Sequence, residues 1–114
     1  MKICIPTNDK ISVSDVFGRC KFLAIINQET NTVEYIDNSN NMLSHGAGLQ
    51  TASLVLKNNA DVLITYDLGP KANDVFKESS LTIYKITQID TIDNLLKLLK
   101  EEKLNKIFPI ITKS

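Results

Sequence analysis

The sequence has little of what marks a disulfide-bonded, membrane-embedded or nucleic-acid-binding protein. Its two cysteines, Cys4 and Cys20, are too few for a disulfide framework or a paired-cysteine metal site and fit a reducing compartment. Thirteen basic and thirteen acidic residues leave no net charge, so bulk charge predicts neither nucleic acid nor a membrane as partner. No apolar run approaches the ~20 residues of a membrane helix, and residues 1–6 lack the apolar region of a signal peptide. We therefore expect a cytoplasmic protein.

The remaining patterns predict one α/β domain over residues 1–114, with a core of about 1–100 and a C-terminal tail at 104–114. Apolar runs and turn signals predict strands at 2–6, 22–26, 32–36, 61–65 and 81–86. Helical periodicity predicts helices at about 47–59, 70–76 and 91–103. The order β-β-β-α-β-α-β-α implies a mixed five-stranded sheet flanked by helices, because the tight turn at 28–31 reverses the chain and the later crossovers keep strands parallel.

The most distinctive segment is SHGAGLQ at 44–50, where a polar loop meets a predicted helix. It holds the only histidine, His45, and two of the four glycines, Gly46 and Gly48. Both glycines can take positive φ and let a ligand approach the backbone, and the unpaired N–H groups of a helix start favour an anion. His45 can coordinate a metal or donate to an oxyanion. Alternatively, the glycines only turn the chain and His45 is an exposed loop residue.

The predicted topology brings several polar loops to the carboxyl ends of the parallel strands, where open α/β sheets bind ligands. We expect Asn8, Arg19, His45 and Asp67 to share one crevice there. Arg19 is the only arginine, and its guanidinium is a multidentate donor to anions. The alternative is that Arg19 pairs with Asp15 or Asp67 to hold its loop.

The two thiols have different expected environments. Cys20 follows Arg19, whose charge would stabilise a thiolate able to ligate metal. The alternation of side chains along a strand can instead turn Cys20 inward. Cys4 lies within an apolar strand and is expected to be a buried structural thiol.

Four segments taken together resemble one family, the dinitrogenase iron-molybdenum cofactor biosynthesis family of NifX and the C-terminal part of NifB. They are the MKICIPT start, Phe17-Gly18-Arg19, the polar loop leading to His45-Gly46-Ala47-Gly48, and Gly69-Pro70 after the run DVLIT. The resemblance covers about residues 1–100. It implies a ribonuclease H-like fold and a non-catalytic carrier of an iron-sulfur cluster or iron-molybdenum cofactor precursor.

The resemblance and the topology together define the expected site and its ligands. The expected cofactor-binding residues are Asn8, Arg19, Cys20, His45, Gly46, Gly48 and Gly69, with His45 and Cys20 as metal ligands. One or two protein ligands would suit a carrier, which must release its cargo, better than the four cysteines of a permanent cluster site. The implied partners are a metal cluster or small anionic ligand and a cofactor-assembly or acceptor protein.

Two other functions are weighed against the carrier. A nuclease of ribonuclease H type needs carboxylates around two metal ions, one of them on the first strand, and residues 2–6 contain none. Ser44 and His45 are adjacent and have no evident orienting acid, so they make a poor nucleophile and base. A small regulatory or interaction domain, binding an anionic metabolite or a protein partner at the same edge, remains the alternative to a carrier.

Overall fold

The computed structural model describes residues 1–108, which form a six-stranded mixed sheet with three α-helices. The strands are β1 (Lys2–Thr7), β2 (Phe22–Asn27), β3 (Thr32–Asp37), β4 (Val62–Thr65), β5 (Thr82–Lys85) and β6 (Asn105–Phe108). The helices are α1 (Ala47–Lys57), α2 (Pro70–Phe76) and α3 (Ile92–Lys100). Two short 3-10 turns complete the elements, the first at Phe17–Arg19 and the second at Ser39–Met42.

The strand order is β3-β2-β1-β4-β5-β6, and the strand directions are those predicted. β1 pairs antiparallel with β2 and parallel with β4, β3 is antiparallel to β2, and β5 is parallel to β4. The expected count of five strands is wrong, because β6 pairs antiparallel with β5 at the other edge. β6 lies within the predicted tail; its four residues are too short to form a recognisable pattern, and pairing with β5 supplies their backbone partners. Residues 109–114 of that tail lie outside the described part.

Side chains alternate across the sheet, so each face has its own core. Cys4 of β1 packs with Leu23, Leu63 and residues of α1 and α2 on one face. Ile3 and Ile5 pack with Ala24, Ile64 and residues of α3 on the other. The helices therefore lie on both faces of the sheet, which leaves its ends to the connecting loops. None of the helices within residues 1–108 has the length and hydrophobicity needed to span a bilayer.

Two helix starts show how local sequence fixes the ends of these elements. Gly46 precedes α1 with φ of 76°, a left-handed conformation that glycine adopts without steric cost. Thr91 precedes α3, and its hydroxyl accepts a hydrogen bond from the Asn94 backbone N–H at 3.1 Å. Gly46 offers no such side chain, so the first N–H groups of α1 have no side-chain cap.

The sheet places the loops after β1 and β4 side by side. The chain runs from β1 out to β3 on one side, then returns through α1 to β4 on the other. A reversal of this kind opens a crevice at the carboxyl ends of the parallel strands beside it. Here the first 3-10 turn follows β1, and residues 66–69 follow β4.

Candidate functional site

A crevice of about 380 Å³ opens between the first 3-10 turn, the start of α1 and the start of α2. Residues 16–19, 46–49, 67 and 69–72 line it. Of the expected site residues, Arg19, Gly46, Gly48 and Gly69 lie in this lining, together with Asp67. The loops that follow β1, β3 and β4, which the topology predicted to converge, all contribute residues to this lining.

The first 3-10 turn and α1 meet through two glycines. A Cβ on Gly18 would lie 2.7 Å from the backbone N and 2.8 Å from the Cα of Gly48, so only glycine fits at position 18. Gly46 has the predicted positive φ, but Gly48 is an ordinary helical residue without one. The close approach to the Gly48 backbone that was expected of a ligand is therefore made by Gly18 of the same chain. Phe17 anchors the same turn, since its ring contacts that of Phe76 edge-on with centroids 6.0 Å apart.

Arg19 is held by backbone carbonyl groups rather than by a carboxylate. Its Nη1 donates to the carbonyl oxygen of Asn41 at 2.9 Å and to that of Leu43 at 2.6 Å. No ion pair with Asp15 or Asp67 forms among the described residues, so the alternative of a loop salt bridge is wrong. A guanidinium has five N–H donors, and those on Nε and Nη2 have no hydrogen-bond partner within residues 1–108.

The crevice combines positive charge with apolar walls. Arg19 and Lys71 are the cationic residues of its lining, and Asp67 is the acidic one. The uncapped N–H groups at the start of α1 add the partial positive charge of a helix N-terminus. Val16 and Leu49, which are 42% and 36% exposed, supply apolar surface beside these groups. Such a crevice can hold a compact anion that also tolerates apolar contact.

Two expected site residues lie outside this lining. Asn8 borders a separate depression with Asp9 and Ser12, and its Oδ1 accepts a hydrogen bond from the Lys21 backbone N–H at 3.0 Å. His45 is exposed and precedes Gly46, next to the lining but not in it. Neither residue lines the crevice with Arg19, so their place in a shared site stays a prediction. Side chains on either side of a strand end or a helix start can point away from the adjoining cavity.

Cys20 is turned into the core, as the inward alternative foresaw. Its side chain is buried, and the Asn38 side-chain amide lies 3.5 Å from its sulfur. Burial raises the pKa of the Cys20 thiol to about 11, outweighing the hydrogen bond from Asn38, so the expected thiolate beside Arg19 is wrong. Cys4 is a buried thiol as predicted, and burial raises its pKa further still. Within the described ranges no three His, Cys, Asp or Glu residues cluster closely enough to hold a metal ion.

Sequence reasoning missed two residues behind the crevice, Asn38 and Thr51. Both are buried, at 2% and 0% exposure, and they are hydrogen-bonded to each other and to the first 3-10 turn. The burial of Thr51 could have been predicted from helical periodicity, because it lies four residues after Ala47 and four before Val55 on the buried side of α1. No pattern in the sequence distinguishes Asn38, since it is one of three asparagines in a polar loop.

The fold and the crevice define an α/β domain with a cationic, amide-lined site at the carboxyl ends of parallel strands. The chain belongs to the dinitrogenase iron-molybdenum cofactor family, whose model matches residues 1–102. It is 37% identical over 109 residues to protein MJ0580 of Methanocaldococcus jannaschii, covering 93% of this chain and 91% of that protein.

Two solved structures share the fold. The apo form of the orange protein from Desulfovibrio gigas matches with a TM-score of 0.83 and 25% identity, over 90% of this chain and 89% of that one. A candidate NifB protein from Thermotoga matches with a TM-score of 0.78 and 21% identity, over 99% and 98% of the two chains. The predicted family is thus confirmed, and the second likeness supports the fold alone.

Proposed function

We propose that this protein is a non-catalytic carrier that binds a preformed, anionic metal-sulfur cluster in the crevice. The cargo would be an iron-sulfur cluster or an iron-molybdenum cofactor precursor. The observation that carries the proposal is the fixed guanidinium of Arg19, a lining residue whose Nη1 is held by two carbonyl groups and whose Nε and Nη2 have no hydrogen-bond partner within residues 1–108. Membership of a family concerned with the dinitrogenase cofactor supports a metal cluster as the anion.

The groups in the lining favour non-covalent binding over ligation by thiolates. Bound sulfides accept hydrogen bonds from N–H donors, and the net negative charge of a cluster suits Arg19 and Lys71. The apolar side chains of Val16 and Leu49 can contact the polarisable sulfide faces. A cargo held in this way can leave without breaking metal-thiolate bonds, which is what transfer to an acceptor protein requires.

His45 is the one expected metal ligand that solvent can reach. It lies directly before Gly46, which lines the crevice, and its imidazole can coordinate a metal. Cys20 would ligate a cluster only after leaving the core and losing its proton, and its raised pKa opposes the second step. We therefore assign His45 the role of replaceable ligand and expect Cys20 not to be a ligand.

The proposal also keeps the expectations of a cytoplasmic protein, a ribonuclease H-like fold and no enzymatic activity. The absence of any aspartate or glutamate on β1 supports the last of these, since two-metal nuclease chemistry needs a carboxylate at that strand. The fold by itself carries no chemistry.

The proposal is tested by anaerobic reconstitution of the purified protein with iron and sulfide, or with an extracted cofactor. Visible absorption and electron paramagnetic resonance would be recorded for the wild type and for Arg19→Met, His45→Ala and Cys20→Ser. We expect a stoichiometric signal that Arg19→Met abolishes, His45→Ala alters and Cys20→Ser leaves in place. Lys97→Met is the matched control, because it removes an exposed cation from α3.

The outcomes separate the carrier from the alternative function. A signal that survives in Arg19→Met would show that the crevice is not the binding site. Absence of any signal in the wild type, with tight binding of a nucleotide or organic phosphate, would favour a domain that binds an anionic metabolite at the same crevice.

A further inference from the structure

A buried pair of polar side chains lies behind the turn that carries Arg19. Asn38 precedes the second 3-10 turn and Thr51 lies on α1, and neither residue lines the crevice. Both reach the first 3-10 turn from the core side. The three segments that carry Arg19, its carbonyl acceptors and the start of α1 are therefore connected through these two side chains.

The hydrogen bonds reach the carbonyl group of Gly18 within the turn and that of Cys20 directly after it. The Asn38 Nδ2 donates to the carbonyl oxygen of Cys20 at 2.9 Å and to the Thr51 Oγ1 at 3.1 Å. The Thr51 Oγ1 lies 3.4 Å from the carbonyl oxygen of Gly18 and 3.4 Å from the Asn38 Oδ1, so its hydroxyl can donate to either oxygen. The two carbonyl groups held in this way belong to the residues immediately before and after Arg19.

Every hydrogen of the pair has an acceptor inside the protein. The three hydrogens of the pair, two on the Asn38 amide and one on the Thr51 hydroxyl, have five acceptors within reach: the Cys20 carbonyl oxygen and sulfur, the Thr51 Oγ1, the Gly18 carbonyl oxygen and the Asn38 Oδ1. The pair is buried, so water cannot replace a lost partner, and removing the hydroxyl leaves acceptor and donor groups unsatisfied. The backbone on both sides of Arg19 is thus fixed from within the core.

We propose that Asn38 and Thr51 are positioning residues that set the direction in which Arg19 presents its guanidinium to an anionic cargo. Arg19 is fixed at both ends: its backbone by these two side chains and its Nη1 by the carbonyl groups of Asn41 and Leu43. Asn38 links the two ends, because it lies three residues before Asn41 and its carbonyl oxygen accepts the Asn41 backbone N–H at 3.3 Å. The inference rests on the proposed function only for the identity of the cargo.

The test compares two buried threonines that make similar hydrogen bonds. Thr51→Val removes the hydroxyl and keeps the shape, while Thr51→Ser keeps the hydroxyl. Thr7→Val is the control, since the Thr7 hydroxyl is equally buried, donates to the carbonyl oxygen of Ser12 at 2.6 Å and accepts from the Lys10 N–H at 3.0 Å, away from the crevice lining.

Two measurements are made on each variant, amide hydrogen exchange in the cargo-free protein and binding of the cluster reconstituted from iron and sulfide. We expect Thr51→Val to speed exchange at the Arg19 and Cys20 amides and to weaken cluster binding about tenfold. Thr51→Ser should restore both. Thr7→Val should lower the unfolding temperature comparably and speed exchange at Lys10, with wild-type cluster binding.

Each departure from this pattern has one meaning. Unchanged exchange at Arg19 and Cys20 in Thr51→Val would overturn the inference, as would equal loss of cluster binding in Thr51→Val and Thr7→Val. If the wild-type protein takes up no cluster, the proposed function fails, and exchange in the cargo-free variants then decides the positioning role alone. If Thr51→Val does not fold, Asn38→Asp supplies a related comparison, because a carboxyl group has at most one hydrogen to donate where the amide has two.

Discussion

The contact between Gly18 and Gly48 gives the sharpest prediction for stability. A Cβ at position 18 would stand 2.7 Å from the Gly48 backbone N, 2.8 Å from its Cα and 3.2 Å from the carbonyl carbon of Ala47. Contacts between non-bonded heavy atoms are favourable at ~3.5–4.0 Å, so Gly18→Ala requires the first 3-10 turn and α1 to separate by about 1 Å. Backbone atoms of a helix cannot turn aside as a side chain can.

The expected loss in the free energy of unfolding is the cost of overpacking less a smaller gain from a less flexible unfolded chain. Forcing an extra methyl group into a filled contact costs about 1–3 kcal/mol. Gly18 does not have positive φ, so alanine suits its backbone and recovers about 0.4–1 kcal/mol through the unfolded chain. We expect Gly18→Ala to lower the free energy of unfolding by about 1–2 kcal/mol in a urea titration followed by circular dichroism.

Gly48→Ala is the matched control, on the other side of the same contact. Its Cβ would meet no atom within 4 Å, and the residue lies within α1. Alanine should therefore raise the free energy of unfolding by about 0.5–1 kcal/mol through helix propensity. The argument is refuted if Gly18→Ala unfolds at the same urea concentration as the wild type or higher, or if Gly48→Ala is the more damaging change.

Three further predictions concern other residues of the loops and the core. Gly46→Ala should lower the free energy of unfolding by about 1 kcal/mol in the same titration, because the φ of Gly46 is 76°. Asparagine adopts left-handed backbone more readily than alanine, so Gly46→Asn should lower the free energy of unfolding by less. Iodoacetamide should modify Cys4 and Cys20 at pH 8 only as fast as the protein unfolds, because both thiols are buried and the pKa of Cys20 is raised to about 11; rapid labelling of Cys20 in the folded protein, read by mass spectrometry, would contradict its placement. Hydrogen bonds from the backbone N–H groups of Ser12 and Ile11 lower the pKa of Asp9 below its ordinary 3.8. The contribution of Asp9 to the free energy of unfolding is therefore complete above pH 3.8 and is lost as pH falls through the folded-state pKa. Asp9→Asn should flatten the pH dependence of the free energy of unfolding in acid, measured by urea titrations, and an unchanged pH dependence would contradict this.

Much of the fold follows from short-range patterns. The five strands predicted from apolar runs are all present, with ends that shift by no more than one residue. α3 keeps its predicted amphipathic pattern, with Ile92 and Leu95 buried against the sheet. These elements were predictable because burial of one face leaves a period of 2 or 3.6 in the sequence. β6 was not, since a four-residue edge strand is defined by its pairing with β5.

Some features of the candidate site were also predictable from the sequence, and others were not. Arg19 and the helix start after Gly46 were predictable from residue type and from the convergence of loops that strand order imposes. The orientation of each neighbouring side chain was not. Cys20 follows Arg19 in the chain yet faces the core, and His45 precedes Gly46 yet lies outside the crevice lining.

The sequence by itself determined the family and the direction of the strands. Only the tertiary structure decided that Gly18 would touch Gly48, and that Asn38 and Thr51 would meet behind Arg19. The physical reason is the docking of α1 against the first 3-10 turn. That contact joins residues about 30 positions apart, and its fit depends on packing across the whole face of the sheet, which no local pattern of residues records.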